Sequence, residues 1–169
     1  MNDKSNADSS PKVIYLQDVL DEQFGAGKTK VILPITDPYV KHHGALGSFA
    51  TVFFLQQVSR ADAINAISKL PGVELIMDRA SAVKRFELPS DRIGDLIVIG
   101  DRGTVLGTRK EDHDLSKLGG MRLRSHGGLA DSRVSFILSR PLNKKYESIA
   151  ESRQLRNYDI FDFALNGVR

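Results

Sequence analysis

The sequence contains no cysteine and no tryptophan among its 169 residues. The lack of cysteine excludes disulfides, thiolate metal ligands and cysteine nucleophiles, and it favours the cytoplasm. No apolar run approaches the ~18 residues that a membrane span needs, and the polar first residues do not resemble a signal peptide. The net charge is only +3, which is too small to indicate nucleic-acid binding. We therefore expect neither a nucleic acid nor a membrane as a partner.

The remaining composition is typical of a folded domain, with 41% hydrophobic and 27% charged residues. Basic residues outnumber acidic ones between Arg102 and Arg140, and glycines are concentrated between Gly94 and Gly128. A basic, glycine-rich segment of this kind either surrounds an anion or forms a solvated loop. Composition does not decide between these two interpretations.

Hydrophobic periodicity predicts an α/β or α+β fold with one main sheet. Residues 1–11 are polar and predict a flexible N-terminus. The continuous apolar run at Leu96–Ile99 predicts a strand covered on both faces, and Thr104–Leu106 is predicted to pair with it as a hairpin. The other predicted strands are Val31–Ile35, Phe49–Leu55, Val73–Met77 and Val134–Leu138. Helices are predicted from Lys12 to Gly25, after a Ser59 cap and around Ala80–Phe86, and the tail residues Ile160, Phe161, Phe163 and Leu165 are expected to dock on an apolar surface.

Two short motifs resemble functional motifs, but the spacing of their residues does not match that of a functional site. Gly25–Thr29 resembles the end of a phosphate-binding loop, but Glu22 occupies the position of the required first glycine. A helix C-terminal cap fits this stretch better. His42 and His43 are adjacent, so in an extended chain they point to opposite sides and do not easily share one metal. A pair of surface histidines is the favoured interpretation.

The strongest local cluster lies in the glycine-rich loop, where His113 and His126 occur in one stretch of weak periodicity. Histidine is the commonest metal ligand, and the paired glycines after His126 let the backbone pass close to an ion. The chain holds only four histidines and no spacing typical of a zinc hydrolase. A metal site and an ordinary loop therefore both remain open from the residues alone.

Several longer segments together resemble phosphonoacetate hydrolases, a family of the alkaline phosphatase superfamily. The similarity runs from about Val13 to Asn166, with its segments in the same order. The segments that carry it are Val31–Tyr39, His43–Thr51, Asp91–Leu96, His113–Ser116, Leu123–Gly128 and Asp159–Leu165.

The resemblance implies an alkaline-phosphatase-like α/β core sheet flanked by helices, with a small α+β insertion. It also implies a two-zinc enzyme that hydrolyses the C–P bond of a small phosphonate, phosphonoacetate, to acetate and phosphate. A threonine nucleophile attacks phosphorus in this family. By the same resemblance His126 in the Ser-His-Gly-Gly motif is a zinc ligand, and His113 and Arg124 are candidate neighbours of the site without an assigned role.

The family's nucleophile and its other zinc ligands are expected upstream, and only the last Asp-His pair of ligands belongs to an Asp-His-Gly-Met segment, whereas this sequence begins Met1–Asn2. We therefore expect residues 1–169 to correspond to the C-terminal part of the enzyme domain, without its N-terminal half. We also expect no activity from this chain alone, because one histidine does not hold zinc stably. Its partner would be a complementing N-terminal half or a second copy. The alternative is a non-catalytic, partner-binding or structural fragment of the same fold.

Overall fold

The computed structural model describes residues 1–34 and 46–169. They form two compact units, Met1–Ser132 and Arg133–Arg169. His42 and His43 lie outside the described residues, as do Ile35 and most of the loop predicted before Phe49. None of the helices in the described ranges is long and apolar enough to cross a membrane.

Unit Met1–Ser132 contains eight strands and three α-helices within the described residues. The strands are β1 (Asn2–Asp3), β2 (Val13–Tyr15), β3 (Thr29–Ile32), β4 (Phe49–Phe54), β5 (Val73–Asp78), β6 (Leu96–Gly100), β7 (Val105–Gly107) and β8 (Arg124–Ser125). The helices are α1 (Leu16–Phe24), α2 (Arg60–Ser68) and α3 (Arg79–Phe86). Short 3-10 turns at Lys110–Asp112, Ser116–Leu118 and Leu129–Asp131 divide the glycine-rich loop.

The main sheet has four strands in the order β3-β4-β6-β5, and every neighbouring pair is antiparallel. Helices α1 and α2 pack on one face, where Leu16 and Ile67 join Val98 in the largest apolar cluster. Ala82 of α3 packs on the other face with Ile97 and Ile99. The predicted two-sided burial of β6 is confirmed, and the molecule is a mixed α/β protein with small sheets.

Two short ladders accompany the sheet. β1 pairs antiparallel with β8, and β2 pairs in parallel with β7. The N-terminal segment thus differs from the predicted flexible loop, because Asn2 and Asp3 hydrogen-bond to the strand that precedes His126. The hairpin predicted between Thr104–Leu106 and Leu96–Ile99 is wrong, since β7 takes β2 as its partner. That pairing also makes Val13–Tyr15 a strand, so the first helix begins at Leu16 and not at Lys12.

Unit Arg133–Arg169 is built from α4 (Lys144–Ser152) and α5 (Asp159–Asp162), which continues into a π-helical segment, Phe163–Gly167. Its buried centre is Phe163, whose ring packs edge-on against Tyr146 and Phe136. The strand predicted at Val134–Leu138 is absent, because no described strand pairs with this segment. The predicted docking of the tail holds for Phe163, which is 1% exposed, but not for Phe161 and Leu165, which are 71% and 81% exposed.

Candidate functional site

His126 follows directly on β8 and precedes a sharp change in chain direction. Gly127 has a φ of +102°, a conformation that a residue with a Cβ rarely adopts. A Cβ on Gly128 would lie 3.1 Å from Ser48 Cβ and 3.3 Å from the Gly100 carbonyl oxygen. Glycine at both positions therefore lets the chain turn close beside the main sheet, immediately after the histidine.

The backbone of His126 is held in place while its side chain is left available. Its carbonyl oxygen accepts a 2.9 Å hydrogen bond from the backbone N–H of Ser48. The imidazole is half-buried, and it makes no hydrogen bond or ion pair with any of the described residues. An imidazole without a hydrogen bond to the described residues leaves a ring nitrogen available to a metal.

The strand that leads into His126 is fixed by the N-terminus. Asn2 is in register with Ser125, and Asp3 with Arg124. The Ser125 hydroxyl donates a hydrogen bond to the Leu46 carbonyl oxygen at 2.5 Å. Arg124 itself is exposed, two residues before His126. It remains a predicted neighbour of the site, and its side chain makes no hydrogen bond or ion pair with the described residues that would give it a role.

His113 is held in different surroundings. It is 7% exposed, and its ring stacks on Tyr15 with 6.1 Å between the ring centroids. Its Nε2 atom accepts a 3.0 Å hydrogen bond from the backbone N–H of Thr108. A ring nitrogen that already accepts a backbone hydrogen bond has no lone pair left for a metal. Nε2 of His113 therefore fulfils a structural role in this structure.

Next to the His126 backbone lies a buried polar cluster that consists of Lys4, Ser48 and Asp131. The Lys4 side chain has no exposed surface, and Nζ donates a 2.7 Å hydrogen bond to the Ser48 hydroxyl. Nζ also lies 3.8 Å from Asp131 Oδ2, an atom that is buried without a hydrogen-bond partner. Burial lowers the pKa of Lys4, and the charge of Asp131 opposes that shift.

Sequence reasoning did not find this cluster. Lys4 stands in a polar segment that shows no periodicity, and an isolated lysine is ordinarily exposed. Its burial results from pairing with a segment more than one hundred residues away. The Leu123-Arg-Ser-His motif was the only available signal, and it gives no information about its partner strand.

The described residues contain no group of three His, Cys, Asp or Glu side chains that could hold a metal ion. Structural and catalytic zinc sites use three or four protein ligands. His126 therefore fits as one ligand, but the described part of the chain does not fit a complete zinc site. A shallow depression of about 400 Å³ lined by Asp18, Lys110 and Glu111 adds no further candidate, because the Asp18 carboxylate is hydrogen-bonded to the Lys110 backbone N–H.

No protein-family model matches the chain. Two crystal structures of phosphonoacetate hydrolase from Sinorhizobium meliloti 1021 are similar to it, one in complex with phosphonoformate and one with phosphonoacetate. Both are 41% identical to the chain, with TM-scores of 0.77 and 0.78, and both match 98% of its residues. The chain spans 39% of the length of each. The resemblance indicated by the sequence is confirmed, and it is consistent with a C-terminal portion of such an enzyme.

Proposed function

We propose that this chain, which resembles the C-terminal portion of phosphonoacetate hydrolase, supplies His126 as a zinc ligand for hydrolysis of the C–P bond of phosphonoacetate. The products are acetate and phosphate. The observation that carries the proposal is the half-buried His126 imidazole, which has no partner among the described residues although its backbone is fixed. The solved complexes support the substrate class, because both ligands are small phosphonates.

His126 would bind zinc through a neutral imidazole nitrogen, which requires an unprotonated ring. Zinc, when bound, stabilises the negative charge that develops on phosphoryl oxygens. The described residues of the chain contain no group of three potential metal-ligating side chains. We therefore propose that the 169 residues do not hydrolyse phosphonoacetate alone, and that the remaining ligands and the nucleophile come from another polypeptide segment.

The test compares the chain alone with the chain in an enzyme context. The 169 residues, with zinc added, are expected to release no phosphate from phosphonoacetate. A chimera that carries them in place of the matching segment of the S. meliloti enzyme is expected to turn over. His126→Ala in that chimera should abolish turnover and reduce the zinc content, whereas Lys110→Ala, at an exposed position, should change neither.

Two results would contradict the proposal. Enzymatic turnover by the chain alone would show that the site is complete without another segment. A His126→Ala chimera that retains its zinc content and its rate would show that His126 is not a zinc ligand.

A second function, a partner-binding module, is favoured by the exposed apolar side chains of unit Arg133–Arg169. Val134, Ile137, Phe161 and Leu165 are each more than two-thirds exposed. Exposed large apolar side chains of this kind are typical of surfaces that another protein covers. This function does not exclude the first, since a complementing enzyme segment would itself be such a partner.

A further inference from the structure

Lys4 contacts three segments that lie near His126 in the chain or in space, through Leu123, Ser48 and Asp131. A fully buried ammonium group is unfavourable unless it is paired and hydrogen-bonded. The Lys4 ammonium has a hydrogen bond to Ser48 and an opposite charge on Asp131. Its position is therefore determined by these two residues, and it constrains them in return.

The backbone of Lys4 fixes the chain before His126. Its N–H donates a 2.8 Å hydrogen bond to the Leu123 carbonyl oxygen, and its carbonyl oxygen accepts one from the Lys12 N–H at 2.8 Å. The first of these bonds extends the β1–β8 ladder by one residue. The strand that ends next to His126 is thus held in register by Lys4.

The side chain of Lys4 fixes two further segments near His126, those of Ser48 and Asp131. Ser48, which accepts the hydrogen bond from Lys4, binds the His126 carbonyl oxygen through its own N–H, and its hydroxyl donates to the Thr104 carbonyl oxygen at 2.6 Å. Asp131 ends the 3-10 turn after Gly128. It also accepts a 2.8 Å hydrogen bond from the Asn2 amide. Lys4 thereby connects the segments before, beside and after His126.

We propose that Lys4, through Ser48 and Asp131, is the positioning residue that fixes the backbone around His126 and thereby limits the exposure of its imidazole. The importance of this for zinc binding rests on the function proposed above. The positioning itself is a property of the chain without metal, so it is measured independently of zinc and of turnover.

The experiment measures the reactivity of each histidine toward diethylpyrocarbonate at constant neutral pH, without metal and with site-resolved mass spectrometry. Lys4→Met keeps the length and the apolar stem of the side chain but removes the ammonium. We expect the modification rate of His126 to rise at least about threefold, as local opening exposes the ring. The rate of His113, buried against Tyr15, is expected to stay unchanged.

Lys12→Met is the matched control, because Lys12 also pairs with an aspartate but is 36% exposed. It should leave both histidine rates as they are in the unsubstituted chain. A variant that carries both Lys4→Met and Asp131→Asn leaves no unpaired buried charge and is therefore expected to fold. In this variant the rate of His126 should still be raised.

Two results would overturn the proposal. An unchanged His126 rate in folded Lys4→Met would show that Lys4 does not position this histidine. A parallel rise at His126 and His113 would show that Lys4 contributes only to overall stability. Neither result depends on whether His126 binds zinc, which the zinc content of the chimera tests separately.

Discussion

The two histidines of the glycine-rich loop show how much the surroundings of a residue decide its role. His113 is buried, stacks on Tyr15 and accepts a backbone hydrogen bond. His126 is half-buried, and no described residue binds its ring. The local residue pattern presents both as metal-ligand candidates in one loop, and only the family resemblance separates them. Their surroundings in the structure show that the His113 ring stabilises the loop, whereas the His126 ring has no partner among the described residues.

We expect His113→Phe to destabilise the chain by about 0.5–1.5 kcal/mol, because the partly buried Thr108 N–H would lose its acceptor. Phenylalanine preserves a ring that stacks on Tyr15, so the decrease in the free energy of unfolding reports on the hydrogen bond. Urea unfolding measures the change in free energy, and hydrogen exchange of the Thr108 amide should become faster. Glu111→Gln, at an exposed position of the same loop, is the control. Unchanged exchange at Thr108 would contradict the structural role.

Asp159 is expected to titrate with a pKa of about 2, below the ordinary 3.8. Arg153 donates two hydrogen bonds to its carboxylate, at 2.7 and 2.9 Å, and the Arg156 N–H donates another at 2.6 Å. Because the folded-state pKa is the lower one, the stabilisation is present above pH ~3.8 and is lost as the pH falls toward 2. A carboxyl ¹³C NMR titration measures this midpoint directly.

In that titration Arg153→Gln should raise the pKa of Asp159 toward 3.8, because the substitution removes the Arg153 hydrogen bonds, which lower this pKa most. Arg169→Gln removes a different ion pair of the same unit, that with Glu147, and should leave Asp159 unchanged. An identical midpoint in the Arg153→Gln variant and the unsubstituted chain would show that Arg153 does not lower the pKa of Asp159.

At the scale of elements, the sequence predicted best the features that depend only on neighbouring residues in the chain, such as helix caps. Ser59 caps α2 as predicted, and its hydroxyl accepts a hydrogen bond from the Asp62 N–H. Gly25 ends α1 with a φ of +96°, which supports the helix cap over a phosphate loop. The apolar runs Val134–Leu138 and Thr104–Leu106 were assigned less well. A run of apolar residues predicts a strand only if another strand pairs with it, and this partner is not encoded locally.

Ser59→Ala should cost about 1 kcal/mol of stability, because the Asp62 N–H in the first turn of α2 loses its acceptor. Ser68→Ala, at the last residue of the same helix, is the matched control and should change stability by less than ~0.5 kcal/mol. Urea unfolding of both variants gives the comparison. Equal losses for the two substitutions would show that the cap does not stabilise α2.

At the scale of the molecule, the main sheet buries both faces, whereas unit Arg133–Arg169 leaves large apolar side chains in contact with solvent. Such surfaces favour association with another protein or with a second copy. This observation agrees with a chain that spans 39% of the length of its structural relatives.

We therefore expect the chain to self-associate as its concentration rises, and the variant Phe161→Ser with Leu165→Ser to remain closer to a monomer. Light scattering coupled to gel filtration measures the mass of both. Leu55→Ser, which removes an apolar side chain that is 57% exposed in the other unit, is the control and should not reduce association. An unsubstituted chain that stays monomeric at every concentration would contradict this expectation.

The sequence by itself determined most of the helices, the strands of the main sheet, the two-sided burial of Leu96–Ile99 and the resemblance to phosphonoacetate hydrolase. These depend on local periodicity, on capping residues and on motifs that are contiguous in the chain. The tertiary structure decided which strands pair, which histidine is buried and that Lys4 is buried against Ser48 and Asp131. Such features depend on contacts between residues far apart in the chain, where a polar segment such as 1–11 is ordered only by the strand it meets.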